Sequence, residues 1–63
     1  MLKANDRVYV KNTTPSGEII IEGEARIISP IENRKDWYVV EFYSDIGYEY
    51  DRFIEENSKI KGE

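Results

Sequence analysis

Apolar residues alternate with polar ones, or cluster as β-branched pairs, in four short runs. They are Arg7-Val8-Tyr9-Val10, Gly23-Glu24-Ala25-Arg26-Ile27-Ile28, Trp37-Tyr38-Val39-Val40-Glu41-Phe42 and Tyr48-Glu49-Tyr50-Asp51-Arg52-Phe53. A period of two is the signature of a half-buried strand. In the first run Val8 and Val10 take one face, and Arg7, Tyr9 and Lys11 the other. Residues 12–17 gather turn formers around Pro15 and Gly17, with a length that suits a mobile loop. Residues 18–28 predict a long second strand with Ile19-Ile20-Ile21 as its loop-proximal part. Gly23 interrupts it and predicts a bulge or bend. Ala25 and Ile27 are expected to face the core, and Ser29-Pro30 to stop the strand.

After a polar connection over 31–36, residues 37–43 form the strongest strand in the chain. Tyr38, Val40 and Phe42 share one face; Trp37, Val39, Glu41 and Tyr43 share the other. Residues 44–47 read as a hairpin loop and 48–51 as a fourth strand. A helical or 3-10 turn is expected over 52–57, with Phe53 and Ile54 plugging one end of the fold. A short closing strand follows over 58–60, and residues 61–63 are expected to fray. Tyr38, Phe42 and Phe53 are the aromatic core choices. The expected fold is all-β: one domain over residues 1–63, a five-stranded antiparallel barrel.

This layout resembles the SH3-like small barrels, among them KOW, Tudor and PsaE-type domains. The residues that carry the resemblance are Asp6-Arg7-Val8-Tyr9-Val10, Gly23-Glu24-Ala25-Arg26-Ile27, Tyr38-Val39-Val40-Glu41-Phe42 and Arg52-Phe53-Ile54-Glu55-Glu56-Asn57. The resemblance implies five strands with a short 3-10 turn before the last. It does not imply one function, because such barrels bind proline-rich peptides, methylated side chains, nucleic acid or neighbouring subunits.

Composition narrows the chemistry. A chain of 63 residues buries only about 60% of the surface its unfolded form exposes, so its core is thin. It has no cysteine and no histidine, which removes disulfides, thiolate metal sites and the commonest general base. Ile19-Ile20-Ile21 is too short an apolar stretch to cross a membrane, and Met1-Leu2-Lys3-Ala4-Asn5 has no apolar core of a signal peptide. A cytoplasmic home is expected, and a phage genome is one context that suits so small an acidic module. The formal net charge of −4 opposes general attraction to phosphate backbones.

No catalytic residue, cofactor site or metal site is expected. Ser16, Ser29, Ser44 and Ser58 have no histidine to activate them, and the scattered glycines make no phosphate loop. Glu22 and Glu24, which an unbroken strand would put on one face, and the adjacent Glu55 and Glu56 are expected to be solvated surface.

The aromatic load carries more promise. Tyr9, Trp37, Tyr43, Tyr48 and Tyr50 are candidates for one partner-binding surface, since Tyr and Trp are enriched at interfaces. Cross-strand stabilisation of the sheet explains the same residues more plainly. With Glu41, Asp45 or Glu49 beside them, Trp37, Tyr43, Tyr48 and Tyr50 also have the composition of a cation-binding cage. Arg7, Lys11 and Arg26, converging beside Tyr9, would form a nucleic-acid-binding alternative, against the plainer reading that they pair with neighbouring acids. The leading expectation is a non-enzymatic protein-interaction or accessory-subunit module. A KOW- or Tudor-like nucleic-acid module and a homo-oligomer are the alternatives.

Overall fold

Alternation decides which face of each strand is buried, and register decides how the faces stack. The computed structural model describes residues 2–61. Four strands, β1 (Arg7–Thr13), β2 (Ile19–Pro30), β3 (Trp37–Phe42) and β4 (Tyr50–Phe53), pair antiparallel in chain order as a single sheet. One 3-10 turn, Glu56–Ser58, follows. Val8, Val10, Ala25, Ile27, Tyr38, Val40 and Phe42 line one face of the sheet and are buried, with Leu2 and Ile54 completing the core.

Two irregularities bend β2. Val10 pairs with Gly23 and Lys11 with Ile21, so Glu22 is the extra residue of a bulge. Gly23 has φ 151°, a backbone region that side-chain-bearing residues rarely adopt. A methyl group there would meet nothing closer than Phe42 at 3.8 Å, so conformation rather than space selects glycine. A second bulge leaves Ile28 unpaired between Ile27 and Ser29. Each bulge tightens the local twist. The first also divides β2 by function: Ile19 to Gly23 pairs with β1 alone, and β3 joins from Ala25 onward.

The structure departs from the sequence expectation at four places. Residues 14–17 form a hydrogen-bonded turn rather than a loose loop: Gly17 N–H donates to the Thr14 carbonyl at 2.9 Å, and Thr14 N–H to the Glu18 carbonyl at 2.8 Å. β4 covers Tyr50–Phe53 rather than 48–51, and the 3-10 turn expected over 52–57 falls at Glu56–Ser58 instead. In place of a fifth strand over 58–60 there is a single bridge between Val8 and Lys59, supported by Ile60 N–H donating to the Arg7 carbonyl at 2.8 Å. No backbone ladder joins β1 to β4 among the described residues, so in place of the expected five-stranded barrel there is one four-stranded antiparallel sheet that does not close. The expected fraying of residues 61–63 falls at residues 62 and 63 outside the described residues.

The fourth departure concerns the core. Phe53 is 48% exposed. It pairs with Trp37, on the face opposite Tyr38, Val40 and Phe42, and the two rings meet edge-on with centroids 6.3 Å apart. Parity explains this, because Tyr50 and Arg52 pair with the buried Val40 and Tyr38 and therefore take the inward positions of β4. Ile54 alone supplies the apolar plug expected of Phe53 and Ile54 together.

Candidate interaction surfaces

The outward face of β1, β2 and β3 is a small lattice set by register. Arg7 lies opposite Arg26, and Arg26 opposite Glu41. In the next row Tyr9 lies opposite Glu24, whose carbonyl accepts from Tyr43 N–H at 3.1 Å. Ion pairs cross-link the rows. Arg7 bonds Glu24, and its guanidinium sits 5.1 Å from the centroid of the Tyr43 ring. Arg26 bonds Glu41 at 2.9 Å and the Asn5 side chain at 2.9 Å. Glu41 also accepts Gly47 N–H at 2.9 Å, which draws the β3–β4 loop back toward this face. These donors, Arg26 first, hold the Glu41 carboxyl below its ordinary value.

The proposed nucleic-acid set is therefore only partly assembled. Arg7, Arg26 and Tyr9 share the outer face, but each arginine already carries a glutamate. Lys11 sits past the bulge, where it lines grooves with Thr13 and Phe53.

The five candidate aromatic residues are likewise divided. Tyr9 and Tyr43 flank Glu24 on the outer face, both more than 40% exposed. Tyr48 is exposed within the β3–β4 loop. Trp37 is half-buried on the outward side of β3, with the Arg34 guanidinium 3.9 Å from its ring centroid and Phe53 against its edge. Tyr50 points inward: it packs on the core and meets Phe42 edge-on at 5.6 Å. Trp37 and Tyr50 thus do not complete a single cage with Tyr43 and Tyr48.

Glu22 and Arg52 are the residues that sequence reasoning underrated. The bulge breaks the alternation that would have put Glu22 on the face of Glu24. Its carboxylate instead takes a two-point bond from Arg52, Nε to Oε1 at 2.9 Å and Nη2 to Oε2 at 2.7 Å. Asn12 donates to it as well at 2.8 Å. The Arg52 side chain leaves its inward position by lying over Phe42 and Tyr50, 5.7 and 5.3 Å from the ring centroids. Such a paired fork is stronger and more directional than a single ion pair. The only hint in the sequence is the glycine that follows Glu22. Beside this clamp Glu22, Phe42, Ser44, Asp45 and Tyr50 line a cavity of about 260 Å³. Tyr50 Oη donates to Asp45 Oδ2 at 2.5 Å, and this bond raises the phenol above its ordinary value.

Ile19, Ile20 and Ile21 form a distinct apolar edge, 70, 51 and 60% exposed. They pair with β1 on one side, and no strand pairs with their other side among the described residues. No three carboxylates converge as a metal-binding group among the described residues, and no helix there is long and apolar enough to cross a membrane.

Comparison with known proteins returns no matching family model, no matching curated protein and no matching solved structure. The reading of function therefore rests on these surfaces.

The Glu22–Arg52 clamp has a pH signature. The Arg52 hydrogen bonds, foremost, hold the folded-state Glu22 carboxyl below its ordinary value of 4.5. A depressed carboxyl stabilises the fold above its unfolded value and loses that contribution as pH falls through its folded value. Urea midpoints of the wild type should therefore fall as pH is lowered from about 6 to about 3. Glu22→Gln should start lower and fall less steeply, so that the two curves converge in acid. Parallel curves would show that Glu22 is not held by Arg52 in solution.

Proposed function

We propose that this chain is a non-enzymatic binding module with an SH3-like barrel layout, and that it docks a protein partner through the aromatic rows of its outer face. One observation carries the reading: Tyr9 and Tyr43 stand exposed on either side of Glu24, with Arg7 bonded to that glutamate and lying over Tyr43. Tyr and Arg are among the side chains that dominate interface energetics, and Tyr brings large contact area at low entropic cost. Here the sheet and the ion pairs hold them in place before any partner arrives, which reduces the cost of ordering them on binding. The arginines of this face are matched by glutamates, so it offers a phosphate backbone little net charge.

Affinity capture from lysate of the source cell, with and without nuclease, tests this with wild type beside Tyr9→Ala/Tyr43→Ala. Both tyrosines are exposed, so the double variant should stay folded. A stoichiometric protein retained by wild type through nuclease treatment, and lost from the variant, is expected. Recovery that requires intact nucleic acid would overturn the reading in favour of a nucleic-acid module.

Self-association has its own observation in its favour, the unpaired Ile19–Ile21 edge. An exposed apolar strand edge is a template for pairing with another chain. Light scattering on the purified protein should then show a mass that doubles as concentration rises, and Ile20→Lys should hold it at the monomer. A monomer at every concentration would eliminate this second reading.

A further inference from the structure

Charge along the chain is unevenly placed. Residues 1–40 carry six carboxylates and six basic side chains, whereas residues 41–56 carry six carboxylates and a single base, Arg52. The same segment holds five of the eight aromatic residues. Glu41 is matched by Arg26, so the excess negative charge of this segment lies mainly on the β3–β4 loop and β4. The cavity beside the clamp opens within this segment, and two aromatic rings and two carboxylates are among its lining residues.

We infer that this end of the module recognises a basic segment of its partner, with one arginine or lysine side chain entering the cavity over Tyr50 and against Asp45. Two features of the site select a cation. First, the chain already places one there: the Arg52 guanidinium lies over Phe42 and Tyr50 while Glu22 neutralises it. Aromatic faces attract cations through their quadrupole, and a carboxylate beside them adds a direct electrostatic partner. Second, the charge around the cavity is left uncompensated. Arg52 is matched by Glu22 alone, and Asp45 meets no cation within salt-bridge distance among the described residues. Asp45 uses Oδ2 for the Tyr50 hydroxyl, while Oδ1 accepts no hydrogen bond among the described residues and is free to meet a donor. Glu49 and Asp51, both exposed, extend the negative potential along β4. A polyanion is repelled by this surface, and a basic peptide is steered to it.

The inference rests on the protein-interaction reading and names the chemistry of the partner. Its test needs no identified partner. The full chain, labelled with ¹⁵N, is titrated with hexa-arginine and, separately, with hexa-glutamate. Hexa-arginine should shift the amides of Ser44, Asp45 and Tyr50 first, with an affinity that falls steeply on adding salt, and hexa-glutamate should shift none. Asp45→Asn keeps an acceptor for the Tyr50 hydroxyl but removes the charge and the second acceptor oxygen; it should weaken hexa-arginine about tenfold. Glu18→Gln removes the same charge from the far turn and should weaken it less than twofold. Equal losses in the two variants would mean attraction by net charge alone and would overturn the inference. So would shifts that begin at Tyr9 and Tyr43. A partner captured through Tyr9 and Tyr43 that is indifferent to Asp45→Asn would refute the basic-segment inference while leaving the interaction reading intact. Loss of all partner capture alongside a site-specific hexa-arginine response would refute the interaction reading and spare the cavity.

Discussion

The bulge at Glu22 and Gly23 and the two-point bond from Glu22 to Arg52 are the constraint on which the rest of this molecule depends. A meander of four strands with one apolar face has to curl to bury that face, and no backbone ladder joins its two edge strands among the described residues. The bend in β2 supplies the curl, and a side-chain clamp from β2 to β4 holds it. Without the bulge Glu22 keeps the parity of the strand and shares a face with Glu24, away from Arg52. With it the carboxylate reaches a residue 30 positions further along the chain. Arg52 is drawn across Phe42 and Tyr50 in turn, and Tyr50 carries Asp45 with it. The structural device and the most chemically distinctive cavity therefore share Glu22, and the clamp's Arg52 lies over two of the rings that line the cavity.

The two faces of the sheet divide the functional possibilities. The outer face is balanced: two arginines, two glutamates and two exposed tyrosines, cross-linked into a rigid surface. Exposed ion pairs of this kind add little stability individually. Their consequence is order: Arg7, held by Glu24, lies over Tyr43, while register opposite Glu24 sets the place of Tyr9. The β3–β4 end is unbalanced and acidic, and its aromatic rings lie beside unmatched carboxylates. A protein partner that used both would lay apolar contacts on the tyrosine row and a basic segment on the acidic end.

Much of the fold was legible because alternation is a local signal. Val8, Val10, Ala25, Ile27, Tyr38, Val40 and Phe42 all lie buried on the face that period two assigns them. Gly23 marked the bend. Parity was not applied to Phe53, because the expected strand ended at Asp51 and left this residue to the following turn; β4 runs on to Phe53, whose pairing with Trp37 put it outside. Leu2 lies outside any periodic run, so nothing local marked it as core. The site was harder to read. Residue types pointed to aromatic and charged surface, but Arg7–Glu24, Arg26–Glu41 and Glu22–Arg52 join positions 17, 15 and 30 residues apart. Such pairs follow from register and from the bulge, and both are properties of the assembled sheet.

The clamp is best tested by a double-mutant cycle on Glu22→Gln and Arg52→Gln, read by urea unfolding of the two single variants, the double variant and the wild type. If the bond between them closes the curl, the pair is coupled by at least about 1 kcal/mol, and the second substitution costs little once the first is made. Losses that add to within about 0.3–0.5 kcal/mol would contradict the account, because Glu22 and Arg52 would then contribute independently of one another.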